Sequence, residues 1–107
     1  QQAAAKGHAA AANNLAWVRC SSRDLSIRDP EKGRRELATL DDSVRDANLE
    51  DTFAACLAAG GDYDQAIATQ RNAIAKAELD PGLDASERAL LASRLASYQR
   101  HEAWFED

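Results

Sequence analysis

Residues 60–67 read Gly-Gly-Asp-Tyr-Asp-Gln-Ala-Ile, a string that sets a helix stop directly against a helix start. Gly60-Gly61 closes one apolar-periodic segment, glycine being the residue that most readily takes the left-handed conformation beyond a helix end. Asp62 stands three residues before Gln65, the spacing of a capping box. Outward from this point the same punctuation recurs. Asp29-Pro30-Glu31 reads as an N-cap, a proline at the first helical position and an acid in the first turn. Asp46 precedes Ala47-Asn48-Leu49-Glu50, Asp84 pairs with Glu87, and Asp80-Pro81-Gly82 is another stop. Between the marks, apolar residues return at helical intervals. Leu49, Phe53, Cys56, Leu57 and Gly60 form one stripe, and Tyr63, Ala66, Ile67, Ile74 and Ala77 a second. Leu91, Leu95, Tyr98 and Phe105 form a third, and Gly33, Leu37, Leu40 and Val44 a shorter one. The first segment carries Ala4, His8, Ala11, Leu15 and Val18 on one face, with Asn13, Trp17 and Cys20 on another. The spacing predicts five helices, at 3–21, 30–42, 47–60, 63–79 and 85–105, in one domain spanning 1–107.

Composition points the same way. Alanine supplies 24 residues and leucine 11, against five valines and isoleucines, too few β-branched residues for the strands of a sandwich or barrel. The chain reads as all-α. Alanine buries little area, so cohesion must come from close helix approach. Eighteen acids against thirteen bases oppose nucleic-acid binding, and the base cluster Lys32, Arg34 and Arg35 is interrupted by Glu31 and Glu36. The longest charge-free apolar stretch, Ala9 to Val18, contains Asn13 and Asn14 and is too short to span a membrane. With no methionine, the chain is expected to be a processed mature protein or a domain of a longer one. Cys20 and Cys56 fit either one disulfide or two buried thiols.

The residues Phe53-Ala54, Leu57, Gly61-Asp62-Tyr63-Asp64-Gln65-Ala66-Ile67, Ala73-Ile74 and Asp80-Pro81 resemble the tetratricopeptide repeat family. An internal offset supports this. Asp29-Pro30-Glu31-Lys32-Gly33 aligns with Asp62-Tyr63-Asp64-Gln65-Ala66 at 33 residues, and a period in the thirties marks a helical solenoid. The resemblance implies a degenerate first repeat at about 10–43, a second at 47–81 and a capping helix at 84–105. Departures are an expanded loop at Ser21–Arg28, Gly33 in place of the close-contact alanine, and Gln70 where an aromatic is usual. The implied fold is a right-handed stack of helical hairpins whose first helices line a concave surface. There, Cys20 and Cys56 fall near the ends of neighbouring first helices, where their side chains could meet in a disulfide; the alternative is two small buried side chains. A disulfide would imply an oxidising compartment, periplasmic or secreted, and free thiols a cytoplasmic one.

No chemistry of catalysis emerges. His8 and His101 stand without ligand-spaced partners, no HExxH or paired CxxC occurs, and no glycine-rich phosphate loop follows a strand. The expectation is a non-catalytic module with no metal, no cofactor, no nucleic-acid partner and no membrane span. It would bind a protein or peptide on its concave face through Asn13, Trp17, Asn48, Asp51, Thr52, Ala55 and Arg88. Asparagine can bridge a peptide backbone as donor and acceptor at once, and tryptophan is a large anchor. Given Asp51, a neutral or mildly basic segment is expected to suit the face. The alternative is a structural domain that homodimerises or docks on a larger protein through Leu90, Trp104 and Phe105.

Overall fold

The computed structural model describes residues 2–106, with side chains from residue 7 onward, so Gln1, Asp107 and the side chain of Ala4 lie outside the described residues. Five α-helices follow one another: α1 (Gln2–Ser21), α2 (Pro30–Ala38), α3 (Ala47–Ala59), α4 (Tyr63–Glu78) and α5 (Ala85–Gln99). No strand occurs among the described residues, and none of the described helices is long and apolar enough to cross a membrane. Each helix packs on the next, and α3 also packs on α1.

The starts form where aspartate supplies a carboxylate to an orphan amide. Asp29, Asp46, Asp62 and Asp84 accept from the N–H groups of Lys32, Leu49, Gln65 and Glu87 at 3.1, 3.0, 3.2 and 2.9 Å. The α3 end is a Schellman turn: Gly61 sits at φ 90°, its N–H donates to Ala58 O, and the Asp62 N–H donates to Leu57 O.

Two predicted ends move. The helix expected at 30–42 stops at Ala38, and Asp41 instead caps a separate single 3₁₀ turn at Asp42–Val44. The helix expected at 85–105 stops at Gln99, because the chain makes a second Schellman turn there. His101 takes φ 59°, its N–H reaches Tyr98 O and that of Glu102 reaches Ser97 O, both at 2.9 Å. Phe105 therefore leaves the α5 stripe to which its spacing assigns it. The orientation of α1 also differs from the pattern. His8, Ala11, Leu15 and Val18 face outward, while Ala9, Ala16 and Cys20 are buried. Small residues win that face because it must come within bonding distance of α3.

That contact is covalent. Cys20 of α1 and Cys56 of α3 form a disulfide, with their Cα atoms 4.8 Å apart. Gly33 of α2 lies against it. A Cβ there would stand 2.7 Å from the Cys20 sulfur and 3.2 Å from the Cys56 sulfur. The bridge thus fills the space that a side chain at position 33 would need. The same α1–α2–α3 core includes Leu37, Leu49 and Ala55, edged by Trp17, Leu40, Val44 and Phe53. On the other side of α3, Ala54, Ala58 and Ala66 meet Tyr98, while Ala47, Ala77, Leu83 and Leu91 close the far end.

Candidate functional site

Three of the buried stripes carry one polar residue each at mid-length. Asp51 lies between Ala47 and Ala54 on α3, Gln70 between Ala66 and Ala73 on α4, and Arg94 between Leu91 and Tyr98 on α5. These three meet. Arg94 Nη1 lies 2.6 Å from Asp51 Oδ2, and Gln70 Nε2 donates to Asp51 Oδ1 at 2.9 Å and to Leu91 O at 3.1 Å. Burial pushes the Asp51 carboxyl above its ordinary range, against the opposing pull of Arg94 and the Gln70 hydrogen bond. The Tyr98 phenol, fully buried beside them, is also pushed up, by desolvation and by the Asp51 charge.

The Arg94 guanidinium links this interior to a surface cleft. It lies over the Trp17 ring of α1 at 4.6 Å and faces Trp104 at 5.4 Å. The cleft, about 190 Å³, is lined by Asn13, Asn14 and Trp17 of α1, Asn48, Asp51 and Thr52 of α3, Arg94 of α5, and Glu106. A second cleft of about 440 Å³ continues from Asn13 and Asn48 past Ala9, Val44, Arg45 and Leu49. Asn48 is exposed on the rim, and the Asn13 Oδ1 is buried without a hydrogen-bond partner.

Of the residues expected on one binding face, Asn13, Trp17, Asn48, Asp51 and Thr52 line this one cleft. Asp51 and Thr52 do so from beneath, at 7% and 2% exposure, Thr52 donating its hydroxyl to Asn48 O. Ala55 does not reach the cleft: it is 1% exposed in the core beside the disulfide. Arg88 lies elsewhere, donating to Ala77 O and Asp80 O and so satisfying carbonyls at the end of α4. The arginine that α5 brings to the cleft is Arg94, which the sequence reading passed over. Its signal was present: a charge in line with Leu91 and Tyr98 on an apolar stripe needs a buried partner, and Asp51 occupies the corresponding place on α3.

The segment after α5 also reaches this region. It runs back to the end of α1, where the Glu106 N–H donates to Ser21 O at 2.8 Å and Arg23 donates to Phe105 O at 3.2 Å. The Arg28 guanidinium lies 4.0 Å over the Phe105 ring. Trp104 packs against the cluster formed by Ala54, Ala58, Ala66 and Tyr98, and its indole N–H donates to Glu106 Oε2 at 2.8 Å. Trp104 and Phe105, expected as a dimer surface, are thus half-buried against their own chain. Among the described residues no group of three or more His, Cys, Asp or Glu side chains converges to hold a metal. No protein-family profile, curated protein or solved structure matches the sequence.

Proposed function

We propose that this chain is a non-catalytic binding module that takes an extended segment of a partner protein along the cleft between α1, α3 and α5. The observation that carries the reading is the convergence of Asn13, Trp17 and Asn48, from two separate helices, on one open cleft held from below by the Asp51–Arg94 pair. Asn48, exposed on the rim, offers paired donor and acceptor groups to a peptide backbone, and the Trp17 ring offers an anchor. A covalently tied, deeply packed α3 keeps these groups at fixed spacing, so the scaffold loses little freedom on binding. The short-linked α3–α4 hairpin, and the packing of α3 on α1, support a tetratricopeptide-like stack as its architecture. The Cys20–Cys56 bridge supports an oxidising compartment, periplasmic or extracellular.

The test is selection from a random peptide library on the immobilised chain. Selected peptides should bind the Asn13→Ala/Asn48→Ala variant about tenfold or more weakly, with its melting curve little changed. A library that yields no binder, or binders indifferent to both asparagines, rejects the proposal. A second reading, self-association, is favoured by Leu15 and Val18, one turn apart on α1 and 44% and 46% exposed. Sedimentation over a range of concentrations separates the two, since a strict monomer excludes it.

A further inference from the structure

Trp17 and Glu106 each line two hollows. On one side they border the cleft shared with Asn13, Asn48 and Asp51, and on the other an open hollow of about 470 Å³ completed by Val18, Ser21, Ser22 and Ile27. The cleft thus continues past the Trp17 ring. Its extension mixes two chemistries. Val18 and Ile27 are 46% and 44% exposed, large apolar side chains left to solvent beside an indole. Among the described residues, Glu106 is the one charged group on this wall. Its place is fixed, because its own N–H donates to Ser21 O and its Oε2 accepts from the Trp104 indole, both at 2.8 Å. The carboxylate is exposed and enters no ion pair among the described residues. The arginines that touch this end of the molecule are engaged elsewhere: Arg94 with Asp51, Arg28 with Ser22 O and the Phe105 ring, and Arg23 with Phe105 O. An apolar sleeve ending in a carboxylate fits a cation carried on an aliphatic stem, whose methylenes lie along the sleeve while the charged head stays at the wet end. An apolar side chain seated there would crowd the carboxylate without pairing it, and an acidic one would meet like charge.

We propose that this hollow is a basic-residue subsite of the cleft. The bound partner segment places a lysine or arginine between Trp17, Val18 and Ile27, with its cation on Glu106. This rests on the binding role proposed above and specifies one residue of the segment that is bound.

The probe is a set of synthetic heptapeptide pools, random except for a central lysine, arginine, norleucine or glutamate, passed over the immobilised full chain. Retention of the lysine and arginine pools should exceed that of the norleucine pool about three- to fivefold, the upper range of an exposed ion pair. The advantage should shrink as salt is raised. Glu106→Gln keeps an acceptor for the Trp104 indole and removes only the charge, so the ratio should drop to about one with the melting curve unchanged. Asp64→Asn removes an equal charge from the exposed surface of α4 and should leave the ratio as it was. On the unaltered chain the lysine pool should also shift the methyl resonances of Val18 and Ile27, which decides the matter should the variant fail to fold. Equal retention of the norleucine pool, an undiminished preference in Glu106→Gln, an equal loss in Asp64→Asn, or unmoved Val18 and Ile27 signals overturns the proposal. So does a dimer that covers Val18 and Ile27. Pools retained without regard to the central residue, yet lost on Asn13→Ala/Asn48→Ala, remove this subsite alone and leave the binding role standing. Retention of no pool removes both.

Discussion

The two sides of α3 solve the same problem by opposite means. Toward α1 and α2 the helix is tied by a disulfide, and the neighbouring side chain is reduced to nothing at Gly33. Toward α4 it packs through small residues, Ala54 and Ala58 against Ala66, and the tie onward to α5 is an ion pair buried with a glutamine. The covalent side acts mainly by restricting the unfolded chain, whereas the ionic side depends on every member of the network being present. The first tolerates changes in solvent. The second is sensitive to any single deletion.

The sharpest way to break the ionic side is Arg94→Met, which leaves the Asp51 carboxylate buried without its cation. Chemical denaturation should show a loss of about 3–5 kcal/mol, larger than for any surface arginine. A loss below about 1 kcal/mol would mean that Gln70 alone satisfies Asp51.

The covalent side is broken by Cys20→Ala/Cys56→Ala, expected to cost about 3–4 kcal/mol for a loop of 36 residues. Intact mass with and without reductant, followed by alkylation, tests for the bridge directly. Gly33→Ala sharpens the comparison. In the bridged chain it should cost about 1–3 kcal/mol through overpacking. In the cysteine-free chain the same change should be close to neutral, since the sulfur atoms it meets are gone. Additive effects in this cycle would show that the glycine serves some other purpose.

The two Schellman ends compare on a smaller scale. Gly61 takes its positive φ at no steric cost, whereas His101 takes its own against one, with its ring stacked on Tyr63 at 5.0 Å. Gly61→Ala should therefore destabilise by about 1 kcal/mol. His101→Gly gains from relief of that strain and loses the stack, so thermal melting should move by less than for Gly61→Ala. A large loss would assign the turn to the Tyr63 contact.

The smallest effect concerns pH. Asp51 has a folded-state pKa raised above the unfolded 3.8, so the folded state binds a proton more readily. Its contribution to stability is fully present below pH 3.8 and is lost as pH rises through the elevated value. The melting temperature of the unaltered chain, relative to Asp51→Asn, should therefore fall between mildly acidic and neutral pH. A rise instead would show that attraction to Arg94 outweighs desolvation.

Legibility followed the range of the forces involved. Helix starts were plain because an aspartate and the amide it caps are three residues apart. The end at Gly61 was plain because its glycine is visible. The end at His101 was not, since no glycine marks it and the segment after it is held by residues far away in sequence, Trp104 by the Ala54–Tyr98 core cluster and Phe105 by Arg28 of the loop after α1. Asp51, Thr52 and Asn13 line one cleft, but their depth was not legible. An alanine-rich stripe lets neighbouring backbones close over a polar side chain, and periodicity carries no measure of that distance. That Arg88 meets the Ala77 and Asp80 carbonyls was not legible either, because periodicity within one helix does not say which neighbour awaits a side chain.

The loop between α1 and α2 lies inside the ring that the disulfide closes, and its Leu25 is 76% exposed. A protease that severs the chain there leaves both fragments fastened through sulfur. Such a nicked molecule migrates as one band on a denaturing gel until thiol is added, then as two. Damage in this exposed loop is thereby kept from scattering its pieces.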